Sequence, residues 1–128
     1  MQQAINNEKL FHQKVRFWRL AEKVKTTITD TDFVIEKNDQ VFIFGEIKRR
    51  GKLVDWSQEI TYIRIVDRLF KTGAYAFFIE VDHDAQDDDD IVLEECTIRK
   101  VYFNGKWTTS LAGKNVREVI EAILEKYQ

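Results

Sequence analysis

The chain of 128 residues has no proline, one cysteine, five glycines and two histidines. Without proline, no helix is broken by a missing N–H and no Pro-rich linker divides the chain. The single cysteine, Cys96, excludes an internal disulfide framework and a Cys-based zinc site. No apolar run approaches the ~18–20 residues that a bilayer span needs. The opening MQQAINNEKL lacks the apolar stretch of a secretory signal. No Gly-rich phosphate loop is present, so no nucleotide cofactor is expected, and no Ser-His-Asp or Cys-His order suggests nucleophilic catalysis. These absences lead to the expectation of a cytoplasmic protein with no membrane partner, built as one domain over residues 1–128.

What is present divides unevenly. Hydrophobic residues make up 44% of the chain, enough for a sizeable core, and the formal charge is −2. Residues 1–73 hold 14 Lys/Arg and 10 Asp/Glu, a net of +4, while residues 74–128 hold 6 and 12, a net of −6. Within residues 82–95 lie eight acids and no Lys or Arg, including the run Asp87-Asp88-Asp89-Asp90. An EF-hand loop starting at Asp82 would need Gly and Glu where Asp87 and Leu93 stand, so the segment reads as a solvated loop.

Helical spacing predicts a first helix over residues 7–24, capped by Asn6 or Asn7, with Leu10, Phe17, Ala21 and Val24 in one line. Lys9, His12, Arg16, Arg19 and Lys23 form a basic stripe on the remaining arc. Strands are predicted over 31–36 and 40–48, joined at Lys37-Asn38-Asp39. A second helix follows over 55–71, with Gly73 as a left-handed cap and Gln58, Tyr62, Ile65 and Leu69 on one face. The apolar run 74–81 reads as an interior strand, 91–103 as another, and Asn104-Gly105 as a hairpin turn into 106–109. Cys96 alternates with Val92 and Ile98, as a small buried residue would. Val116, Val119, Ile120, Ile123, Leu124 and Tyr127 recur at the spacing of a last helix. The order α–β–β–α–β–β–(β)–α, with a helical crossover before residue 74, predicts an α/β fold: a mixed central sheet flanked by helices.

One constellation carries chemistry. In the strand 40–48, Phe42, Phe44, Glu46 and Lys48 share a face, so a carboxylate and an ammonium project from the end of an otherwise apolar strand. Asp32 opens the partner strand at the same end. An odd number of loop residues sets it opposite Glu46, and an even number sets it diagonal to Glu46. Two carboxylates this close repel unless a cation lies between them, and hard oxygen donors suit Mg²⁺ or Mn²⁺. Such a cation polarises phosphate oxygens, and a neighbouring lysine orients the attacking water. Gln58, on the first turn of the second helix, is placed to hold a water or a phosphate oxygen.

Asp32, thirteen residues and then Glu46-Ile47-Lys48 resembles the PD-(D/E)XK nuclease superfamily. Gln58-Glu59-Ile60-Thr61-Tyr62 resembles the QxxxY motif of its RecB-like branch, and TDTDFVIEKNDQVFIFGEIKRRG resembles small phage- and mobile-element-associated members. The resemblance covers residues 8–81. It implies a restriction-endonuclease-like α-β-β-α-β core and a metal-dependent deoxyribonuclease that hydrolyses DNA phosphodiester bonds. It also implies Asp32, Glu46 and the Ile47 carbonyl as ligands of Mg²⁺ or Mn²⁺, Lys48 as the catalytic lysine and Gln58 as an auxiliary residue. Glu8 is a further candidate ligand by its position on the first helix. The proline of the superfamily name is replaced by Thr31. Arg49, Arg50 and Lys52, with Arg16 and Arg19, are the candidate DNA contacts, and DNA is expected to pass Lys48 to Lys52 and avoid the acidic loop. A chain this small has little surface for sequence reading, so a homodimer or a partner subunit is an expected source of specificity. Two other readings compete: a catalytically inactive module of the same fold that binds DNA or a protein, and an acidic regulator that mimics DNA through Asp87–Asp90.

Overall fold

The computed structural model describes residues 22–23 and 31–127. The predicted first helix, and with it Glu8, His12, Arg16 and Arg19, lies outside the described residues but for 22–23.

Two strands open the described fold because apolar residues alternate along both. β1 (Phe33–Lys37) turns through Asn38 and Asp39, both at positive φ, into β2 (Val41–Arg49). Asn and Asp are the non-glycine residues that best tolerate this conformation. Three residues separate the last pair, Lys37 and Val41, and the odd count fixes the antiparallel register Phe33 to Gly45. α1 (Trp56–Lys71) crosses over to β3 (Tyr75–His83), which pairs in parallel with β2 over their full lengths. Gly73 ends α1 at φ +96°, as predicted for a left-handed cap. β4 (Thr97–Phe103) and β5 (Lys106–Thr108) add antiparallel strands through Asn104-Gly105, whose φ values of +52° and +77° are those of a two-residue hairpin turn. α2 (Val116–Lys126) begins at Asn115, whose side chain accepts from the Glu118 N–H at 3.1 Å.

The described residues thus form one small α/β domain: a five-stranded mixed sheet in the order β1-β2-β3-β4-β5 with two helices. One face packs on α2, where Val41, Ile43, Phe77, Ile79 and Val81 meet Val116, Val119, Ile120 and Ile123. The other packs on α1, where Tyr62 and Val66 meet Ala76, Phe78 and Tyr102. The Tyr62 and Phe78 rings stack at 4.5 Å. No helix among the described residues is long and apolar enough to cross a membrane.

Two expectations need correction. The strand predicted over 91–103 starts only at Thr97: Leu93–Glu95 is a 3-10 turn, and Ile91 and Val92 are exposed. β3 ends at His83 and its pairing with β4 ends at Asp82 and Thr97, so earlier residues have no strand to bond with. On α1, Ile65 is 38% exposed, and Val66, at 0%, takes its place against the sheet beside Tyr62. Cys96 is buried, as predicted.

Gly45 allows the hairpin to close tightly. Phe33 lies directly opposite it, and a Cβ on Gly45 would stand 1.9 Å from the Phe33 ring. Gly45→Ala must push that ring off the α2 face and is expected to destabilise the fold by about 1–3 kcal/mol. Urea denaturation measures this; an unchanged midpoint would mean that the ring moves freely.

Candidate active site

The face of the sheet under α1 changes character in one residue step. Val34, Phe44, Phe78, Tyr102 and Trp107 stand in register across all five strands and make an apolar row. The next row toward the C-terminal ends of the parallel strands is charged: Glu46 on β2, Glu80 on β3 and Lys100 on β4. Extending the β1–β2 register by one residue brings Asp32 opposite Glu46, as the odd loop requires. A further step gives Lys48, Asp82 and Thr97. Parallel pairing of two apolar strands therefore gathers charge at one end of the sheet, where ligands of open α/β sheets commonly bind.

Asp32 sits where β1 gives out. Its N–H donates to the Gly45 carbonyl at 3.2 Å, and its carboxylate accepts from the Ile47 N–H at 2.6 Å. In a strand, the N–H and C=O of one residue point to the same side. The Ile47 carbonyl therefore faces the edge that Asp32 borders, just before the first residue of β1. Thr31 steadies this corner by donating to the carbonyls of Phe33 (3.1 Å) and Gly45 (3.3 Å). Glu46 is only 3% exposed, with the Tyr62 hydroxyl 3.5 Å from its carboxylate. Tyr62 thus serves both the apolar row and the charged one. Lys48 is half-buried one step beyond, in register with Asp82.

The sequence reading missed a second group of charges. Glu80 is 1% exposed, and its Oε2 is buried without a hydrogen-bond partner among the described residues. Burial first, and then a hydrogen bond to the Glu59 carboxylate, raise its pKa to about 8. Glu59, on the first turn of α1, moves the other way, lowered chiefly by the hydrogen bond it receives from Glu80. Lys100 reaches Glu59 at 3.3 Å and lies 4.0 Å over the Trp107 ring. Asp82, 8% exposed, is held by Arg99 at 2.7 Å. The available signal was a glutamate inside the run 74–81, because a carboxylate in an interior strand is costly unless something answers it. On α1, Glu59 rather than Gln58 makes the defined contact with the sheet. Gln58 is half-buried beside it, and no hydrogen bond joins its amide to a described residue.

Arg49 ends β2, and Arg50 and Lys52 follow it, all three exposed. The acidic segment, read from the sequence as a solvated loop, is tied to them: Arg50 is paired with Asp84 and Arg49 with Asp87. A cavity of about 430 Å³ behind this segment is lined by Asp82, Asp84, Asp89, Asp90 and Glu95, carboxylates that repel a phosphodiester.

Among the described residues, no three His, Cys, Asp or Glu side chains are grouped to hold a metal ion. The described part of the expected ligand set is two carboxylates and one carbonyl, and Glu8 lies outside the described residues. In kind, these oxygens suit a hard divalent cation. No family model, no curated protein and no solved structure matches the chain.

Proposed function

We propose that the protein is a metal-dependent nuclease that hydrolyses DNA phosphodiester bonds, with the restriction-endonuclease-like core that the sequence resembles. One observation carries the reading. Asp32 stands opposite the buried Glu46 by register, the Ile47 carbonyl faces the edge beside Asp32, and Lys48 lies one step further on the same face as Glu46. The order β1-β2-α1-β3, with β2 and β3 parallel, also supports the core.

In this reading Asp32, Glu46 and the Ile47 carbonyl hold Mg²⁺ or Mn²⁺, which when bound supplies charge to a phosphate oxygen and acidity to a water. Lys48 orients that water and offsets the negative charge that develops on the phosphate. Gln58 holds a water or phosphate oxygen, and the Tyr62 hydroxyl helps position the Glu46 carboxylate. Arg49, Arg50 and Lys52 continue past the strand end as phosphate contacts.

A cation bound at Asp32 and Glu46 stabilises the folded state. At about a hundred times its dissociation constant it adds about 2.7 kcal/mol. Mn²⁺ is therefore expected to raise the melting temperature by several degrees, and Asp32→Ala to abolish that rise, each protein compared with its own metal-free melting temperature because the variant also loses the bond from the Ile47 N–H. An equal shift in wild type and Asp32→Ala would place any bound metal elsewhere and favour a module without this chemistry.

A further inference from the structure

The two arginines that follow the Glu46-Ile47-Lys48 strand are already engaged. The Arg50 guanidinium grips Asp84 with two parallel bonds of 2.9 Å, Nε to one carboxylate oxygen and a terminal nitrogen to the other. It also lies 3.6 Å from Asp82 and donates to the Thr97 hydroxyl at 3.2 Å. Arg49 pairs with Asp87 and donates to the Ala85 carbonyl at 3.2 Å. Asp84 holds the Arg50 pKa above its usual value, and Arg50 holds that of Asp84 below. A two-pronged guanidinium–oxyanion pair is the same contact that arginine makes with a backbone phosphate.

What holds the segment is also informative. Among the described residues, the hydrogen bonds tying residues 84–90 to β2 come from Arg49 and Arg50; the others recorded for these residues are local, from Ala85 N–H to the His83 ring and from Asp89 N–H to the Gln86 carbonyl. The side chains are open to solvent, 52% and 68% exposed for Arg50 and Asp84, and 45% and 88% for Arg49 and Asp87. Pairs this exposed are worth little and exchange readily. The loop is thus fastened to the basic strand end by contacts that another oxyanion replaces in kind.

We infer that the acidic loop is a built-in stand-in for nucleic-acid phosphate, occupying Arg49 and Arg50 until a DNA backbone displaces it. The inference rests on the reading of this site as one that acts on DNA. The loop sets a threshold: a ligand must supply enough phosphates to release both arginines and to outweigh the repulsion of Asp87 to Asp90. Free phosphate and short fragments fall below that threshold, and a continuous strand passes it.

The test is fluorescence anisotropy of the full chain with labelled twenty-nucleotide single-stranded and duplex DNA, at low salt with chelator so that nothing is cut. Asp84→Asn with Asp87→Asn removes the charge of both loop carboxylates that pair with the arginines and leaves the Arg49 bond to the Ala85 carbonyl. Asp88→Asn with Asp90→Asn removes the same charge from the same loop without touching an arginine. Two exposed pairs, each worth up to a factor of about five, give the first double variant about tenfold tighter binding than wild type. The matched control is expected to gain less than about threefold, the share of screened long-range charge. Equal gains in the two variants would overturn the inference in favour of net charge alone. Measurable wild-type binding with no gain in the first variant would overturn it and leave the DNA reading standing. No binding by any of the three would sink the DNA reading and the inference together.

Discussion

Glu46→Ala and Lys48→Ala are each expected to reduce metal-dependent DNA cleavage by about 10³-fold or more, with the fold retained. The two losses have different causes and are told apart by metal. Glu46 is a ligand in the proposed mechanism, so its removal weakens metal binding, and excess Mn²⁺ recovers part of the rate. Lys48 acts on the water and the phosphate, so its removal lowers the rate at saturating metal and leaves the metal-induced melting shift in place. Neither side chain fills the apolar row: Glu46 lies one step beyond Phe44 and Lys48 one step further. Glu46 is nonetheless buried, and Glu46→Gln, which keeps the shape, is the control for any packing effect. Cleavage that survives either alanine variant would remove that residue from the mechanism.

The second large effect concerns Glu80. Its folded pKa is about 8, against 4.5 for an ordinary glutamate, so at neutral pH it carries a proton when folded and none when unfolded. The folded state then binds more protons, and stability falls as pH rises. The stabilisation is complete below about 4.5, where both states are protonated, and is lost as pH climbs through 8. At about 1.4 kcal/mol per pH unit, the chelator-treated protein should lose at least about 2 kcal/mol between pH 6 and pH 9. Glu80→Gln keeps a donor for Glu59 and cannot ionise. Denaturation curves are expected to show the variant close to wild type at pH 5 and more stable at pH 9, on a flatter profile. Parallel profiles would mean that Glu80 is ionised in the fold, answered by a charge other than Lys100.

Much of the site was legible in the sequence because its geometry is local. The Asn38-Asp39 turn sets the hairpin register, and that register alone brings Asp32 to Glu46. Strand alternation puts Glu46 and Lys48 on one face, and the glycine after α1 marks the end of the crossover. What was not legible depends on partners distant in sequence. The in-register pairing of Glu46 with Glu80 is set by how α1 lays β3 beside β2, which no local pattern encodes. On α1 the sequence placed Tyr62 and Leu69 on the sheet face and erred at Ile65, since Ile65 and Val66 are both apolar and only the sheet selects Val66. The acidic loop read as free because its composition is that of a solvated segment. Its attachment depends on two arginines more than thirty residues earlier.

The central claim is that the corner bounded by Asp32, Glu46 and Lys48 cuts DNA. It is tested most directly by incubating the purified protein with single-stranded, duplex and branched DNA in Mg²⁺, in Mn²⁺ and in chelator, with Glu46→Ala alongside. The expected result is cleavage of at least one substrate by wild type that needs the metal and is absent in Glu46→Ala. All three DNA structures remaining intact in Mn²⁺, or cleavage shared equally by Glu46→Ala, would contradict it.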